Sequence, residues 1–176
     1  GGELTPSLGA LQPGDSLLVQ SQATGFLTLD ELPPGRDLWL LSTGTAIGPF
    51  LAMLAEREVF ERFENLVLVH GVRKGEELTY QGLITSLVEQ YGHRFHYVPF
   101  VSREPWPDAL PGRIPAAIAS GELQARVGLA FSAEHSQVMI CGNPAMVKET
   151  QQTLMGLGLA KNLRRAPGNI SMENYW

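Results

Sequence analysis

From residue 36 onward the chain alternates short apolar runs rich in β-formers with longer stretches of helical periodicity, and this rhythm constrains the fold more than any other feature. The runs are 38–42, 66–70, 95–101 and 137–141, and the helical stretches are 46–57, 79–91, 113–121 and 144–157. Strand, helix and strand in succession close a crossover between parallel strands. The pattern therefore predicts an α/β domain built on a parallel sheet of four strands with helices on both faces. Ligands of such sheets lie beyond the carboxyl ends of the strands, so the residues directly after each run are the ones that bear on function.

The first of these sites lies within 38–54 (LWLLSTGTAIGPFLAML), where a strand-like run passes through a small-residue turn into a helix. Thr43, Gly44, Thr45 and Gly48 make that turn. Two readings stand: tight packing of helix on strand, or a cradle whose free N–H groups face a phosphate. The second site is Gly71-Val72-Arg73-Lys74. A fold that binds NAD places an acidic residue about 20 positions past its glycine turn to hold the ribose hydroxyls, and here stand an arginine and a lysine. The third contributes Ser102 and Arg103, followed by Gly112-Arg113 at the start of the next helix. Each arginine alone reads as a solvated surface charge. Their shared placement in a chain of net charge −5 predicts a local positive site, and a guanidinium suits a 2′-phosphate, the group that separates NADP from NAD.

The fourth site is Cys141-Gly142-Asn143-Pro144, with Pro144 fit to open a helix. A lone cysteine reads first as a buried structural residue, and no partnering base marks it as a nucleophile. The terminal Tyr175 and Trp176 read either as ordinary packing or as a stacking surface for a ring cofactor.

Residues 1–34 follow a different idiom. Extended pieces at 16–21 and 26–29 alternate with turn signals at Pro13-Gly14-Asp15, Gly25 and Pro33-Pro34, which predicts antiparallel strands. Two or three strands do not make an independent sheet, so 1–34 is expected to be the tail of a larger β unit and 35–176 the α/β domain. Thr5 is expected to cap a short helix with Pro6 at its first position. The acidic balance argues against a general nucleic-acid binder. One cysteine excludes an internal disulfide, and no apolar run reaches the ~20 residues that span a bilayer. The expectation is a cytoplasmic monomer with no membrane segment, and no Cys, His or carboxylate cluster predicts a metal.

With these residues in view, the chain resembles the bacterial ferredoxin/flavodoxin-NADP reductases. The likeness rests on GELTPSL at 2–8, PGD at 13–15, STGTAIGPFL at 42–51, NLVLVHGVR at 65–73, VSRE at 101–104, GRIP at 112–115, CGNPAMV at 141–147 and the ending NYW. The resemblance implies an NADPH-dependent flavoenzyme that passes electrons between NADP(H), FAD and an acidic carrier, ferredoxin or flavodoxin. It implies that 1–34 belongs to the antiparallel β-barrel of an FAD domain, with Glu3, Leu4 and Thr5 at the FAD pyrophosphate and Thr45 at the flavin. Arg73, Arg103 and Arg113, with Val72 and Ser102, would hold the 2′-phosphate. Thr43, Gly44, Gly142, Asn143, Pro144 and Ala145 would border NADP. Cys141 would lie near the nicotinamide, with Tyr175 and Trp176 covering the flavin and the FAD adenine. Cys141 and Tyr175 are the candidates for catalysis. The family's Arg-x-Tyr-Ser motif does not occur in these residues, so weak FAD retention by the chain alone is expected. A catalytically silent NADP-binding or docking module is the competing reading. Lys161, Arg164 and Arg165 are either a seat for the acidic carrier or a solvated basic tail.

Overall fold

The computed structural model describes residues 4–19, 21, 22, 25 and 27–174. Six parallel strands form one sheet: β1 (Asp37–Thr43), β2 (Asn65–Val72), β3 (Phe95–Val101), β4 (Leu110–Pro111), β5 (Ser136–Gly142) and β6 (Ile170–Asn174). Their order across the sheet is β4-β3-β2-β1-β5-β6. After β1 the chain builds outward to one side as far as β4, then returns to lay β5 against the other flank of β1. That reversal opens a crevice at the carboxyl ends of β1 and β5, the place where open parallel sheets hold ligands.

The four expected strands are all present, and the sheet gains two more at its edges. β4 is only two residues long, below what periodicity can reveal, and β6 lies in a tail expected to offer rings rather than a strand. The central strands are buried on both faces, as an all-parallel sheet requires. Even-numbered residues of β1 and β2 (Leu38, Leu40, Leu66, Leu68) meet one helical layer, and odd-numbered ones (Trp39, Leu41, Val67, Val69) meet the other. The first layer holds α2 (Gly48–Leu54), α3 (Arg57–Arg62) and α4 (Gln81–Tyr91). The second holds α5 (Ile114–Ser120), α6 (Glu122–Val127) and α7 (Pro144–Gly156). At the amino end, buried Asp37 takes hydrogen bonds from Arg36 Nε (3.0 Å) and Asn65 Nδ2 (2.7 Å), which pins β1 to β2 and sets their register.

The single helix expected over 46–57 is three pieces. A 3-10 turn, Gly44–Ile47, leads into α2, and Glu56 in extended conformation separates α2 from α3. The helix expected from 79 starts at Gln81, because Tyr80 adopts a left-handed conformation with φ of 62°. The helix expected over 113–121 is α5, ended by Gly121 at φ of 81°, and a further helix not expected from the sequence, α6, follows it.

The described part of 4–34 contains no strand. It carries a first helix, α1 (Leu4–Gly9), a 3-10 turn at Leu29–Glu31, and irregular chain between. Strands need a ladder partner, and among the described residues none is offered to 16–19. α1 begins two residues earlier than expected, so Thr5 lies inside its first turn rather than capping it. Pro6 is tolerated there because first-turn amides need no helical acceptor. Leu4, Leu17, Leu18 and Val19 are exposed.

Candidate nucleotide site at the carboxyl rim

The crevice is closed from both flanks by hydrogen bonds that neither flank makes alone. Thr43 Oγ1 accepts the Asn143 amide at 3.1 Å, tying the end of β1 to the end of β5. Gly142 makes this approach possible: it sits at φ of 146°, and a Cβ there would overlap Thr43 Oγ1. Asn143 then caps α7, its Oδ1 accepting from Ala145 N (3.0 Å) and Met146 N (3.4 Å). Pro144 fills the first helical position, where its missing N–H costs nothing. Replacing Asn143 with alanine is expected to cost about 1 kcal/mol, lowering the melting temperature by roughly 3 °C. Thermal unfolding followed by circular dichroism checks this.

Gly44 has φ of 57°, and nothing lies within 4 Å of where its Cβ would stand, so the turn's backbone is open on that side. Thr45, Asn143, Pro144 and Ala145 are exposed along the rim. Cys141 lies beneath them, 1% exposed, in register with Ser42 on one side and Glu173 on the other. Burial, helped by the Glu173 charge, pushes its thiol up to about 11, so it keeps its proton at neutral pH. This chemistry is that of a neutral wall rather than a nucleophile.

The arginines come from the opposite half of the rim. Beyond their strands the β2 and β3 chains stay paired: Ser102 N and Oγ donate to Val72 O (3.1 and 3.2 Å), and Arg103 N donates to Arg73 O (2.9 Å). The side chain of Val72 is in the core, so it meets the rim only through this carbonyl. β4 pairs with β3 at Phe100–Leu110 and Val101–Pro111, which returns the chain to the same edge two residues before Arg113, the residue preceding α5. Arg103 and Arg113 are exposed, and Arg73 is 66% exposed. Three guanidinium groups thus face solvent from one edge of an acidic protein.

Several residues at this rim escaped the sequence reading. Glu77 accepts from Lys74 N (3.1 Å), Arg73 N (2.8 Å) and Arg73 Nη2 (3.0 Å), and those bonds, the Lys74 amide first, hold its carboxyl below the usual range. Its spacing of four from Arg73 was a readable signal. Glu104 Oε1 accepts Gly75 N at 2.8 Å, and the Trp106 indole lies across Gly75, where any Cβ would overlap the ring. Gly75→Ala should therefore expel the indole from its seat, giving a red-shifted tryptophan emission and a loss of roughly 1–3 kcal/mol. His70, fully buried, holds Gly44 O from Nε2 at 2.9 Å. Glu3, Tyr175 and Trp176 lie outside the described residues. Leu4 and Thr5 are exposed on α1, and Lys161, Arg164 and Arg165 are exposed around the Leu163–Ala166 bridge beside β6.

Residues present suit a phosphorylated nucleotide: glycine turns leave backbone open to it, and the donor set at its edge is arginine. A doubly wound parallel sheet with this rim defines a nucleotide-binding oxidoreductase domain, and residues 40–152 match the family described as Oxidoreductase NAD-binding domain. The chain is 48% identical over 176 residues to the flavodoxin/ferredoxin-NADP reductase of Escherichia coli (strain K12), covering 99% of this chain and 71% of that protein. The ferredoxin-NADP reductase of Pseudomonas aeruginosa is 39% identical over 181 residues, with 98% and 69% covered. The chain also superimposes on a crystal structure of a ferredoxin NADP+ reductase from Neisseria gonorrhoeae with bound FAD and NADP, at a TM-score of 0.93 and 38% identity, covering 99% of this chain and 70% of that one. This chain belongs to the bacterial ferredoxin/flavodoxin-NADP reductase family.

Proposed function

We propose that the carboxyl rim binds NADP(H), with its 2′-phosphate on Arg73, Arg103 and Arg113 and its nicotinamide half over the β1–β5 crevice. As a member of its family the protein is an NADPH-dependent flavoenzyme that exchanges electrons, through FAD, with small carrier proteins. FAD, when bound, supplies the step between hydride and single-electron transfer. The observation that carries the reading is the zippered pair of loops, Arg103 N to Arg73 O, which brings two guanidinium groups to one edge across from the open glycine turns. A dianionic phosphate gains charge-assisted bonds there that a ribose hydroxyl does not. Thr43, Gly44, Val72, Ser102, Gly142, Asn143, Pro144 and Ala145 make the remaining nucleotide border.

The neutral thiol of Cys141 then acts by shape, closing the floor under the nicotinamide and excluding water rather than attacking it. Thr45 faces the flavin side, Leu4 and Thr5 reach toward the FAD pyrophosphate with Glu3, and Tyr175 and Trp176 cover the rings. Residues 1–34 form the end of the FAD domain and 35–176 the NADP domain. The carrier is ferredoxin or flavodoxin, steered by Lys161, Arg164 and Arg165. No helix among the described residues is long and apolar enough to cross a membrane. Calorimetric titration of NADP+ and NAD+ into the arginine variants tests the reading.

A further inference from the structure

We propose that His70 is a positioning residue for the nucleotide turn: its Nε2–H holds the Gly44 carbonyl and so fixes the backbone that presents Thr43 and Thr45. This inference rests on the reading of 43–48 as a nucleotide edge.

A carbonyl oxygen only accepts, so the 2.9 Å bond to Gly44 O assigns the proton to Nε2. The ring is completely buried, and Nδ1 has no partner among the described residues. Its register neighbour on β1, Ser42, spends its hydroxyl on Val69 O at 2.8 Å instead. A second proton would have to sit on Nδ1 with no acceptor in reach, and burial lowers the pKa in the same sense, against the opposing pull of the Gly44 bond. The ring is therefore a neutral, one-tautomer donor.

The side chain is a costly choice for filling space. Leu66 and Leu68 occupy the same face of β2, and a leucine at 70 would extend that face, but would leave Gly44 O without this donor. The turn needs the donor because a Cβ position at Gly44 meets nothing within 4 Å, so packing does not brace that side. Two bonds tether it to its flanking strands, His70 of β2 at Gly44 and the Asn143 amide beyond β5 at Thr43.

The test is calorimetric titration of the chain and its variants with NADP+ and, separately, with adenosine 2′-phosphate, which reaches only the arginine edge. His70→Leu should weaken NADP+ roughly 10-fold and leave adenosine 2′-phosphate unchanged, and His70→Gln, whose amide can still donate, should recover most of the loss. A Gly44→Ala control, strained at positive φ, perturbs the same turn by another route. NADP+ affinity lost in Gly44→Ala but kept in His70→Leu overturns the role of His70 alone. Affinity kept in both, or no binding by the unsubstituted chain, overturns the reading of the turn as well. Should His70→Leu fail to fold, nitrogen NMR of the unsubstituted chain at neutral pH decides: a ring with its proton on Nε2 supports the assignment, and a ring with its proton on Nδ1 alone overturns it.

Discussion

Arg103→Ala is expected to raise the dissociation constant for NADP+ roughly 10- to 100-fold while changing that for NAD+ less than about twofold. The side chain is exposed and pairs with no carboxylate among the described residues, so its loss should not unsettle the fold. Arg73 differs. One of its nitrogens is already on Glu77, and its own backbone amide shares that carboxylate, so Arg73→Ala also frees Glu77 beside the proposed phosphate site. Its effect on NADP+ should be at least as large as that of Arg103→Ala, and steeper at low salt, where the released charge is least screened. Lysine at 103 should restore only part of the affinity, because an ammonium does not reproduce the planar fork. Equal losses for NADP+ and NAD+ in both variants would remove these residues from the 2′-phosphate site.

The largest effect on stability is expected at Gly142. An alanine there would have to keep φ of 146° and place its Cβ onto Thr43 Oγ1, with Thr43 N and Met146 Cε each 3.1 Å away. Backbone strain and overpacking together should cost about 2–4 kcal/mol, or roughly 5–15 °C of melting temperature. Thr43→Ala in the same chain clears the hydroxyl but not the backbone, so the double variant should recover only part of the loss. Full recovery would mean that the side-chain clash alone matters. No loss in Gly142→Ala would mean that the crevice tolerates a wider opening than its hydrogen bond across β1 and β5 implies.

What could be read from residues alone divides along physical lines. Val67, Leu68 and Val69, like Val138, Met139 and Ile140, announce a doubly buried strand because both faces of a central parallel strand are covered by helices. β4 left no trace: it is two residues long, and it pairs only with the last two residues of β3, Phe100 and Val101. β6 was concealed by composition, since only Ile170 of its five residues is buried and the rest are exposed or partly so. The break at Glu56 and the start of α4 after Tyr80 turn on single dihedral choices that helical periodicity averages over. The extended pieces expected at 16–21 and 26–29 show no strand among the described residues, because propensity alone does not make a strand without a partner.

At the rim, the arginines and glycine turns were legible because strand order places all post-strand residues at one edge. Their supporting side chains were not. Glu104 and His70 act on backbone atoms, and a bond to a main-chain group leaves no residue type to recognise at the other end, whereas Glu77 offered its spacing of four from Arg73.

The bond between Thr43 Oγ1 and the Asn143 amide joins positions 100 apart in the chain. During synthesis, β1 and its turn emerge long before β5, and the intervening strands can already be paired while that half of the crevice is still missing. Competence to grip a dinucleotide should therefore arrive late and all at once, and a nascent chain stalled anywhere before residue 143 should have none.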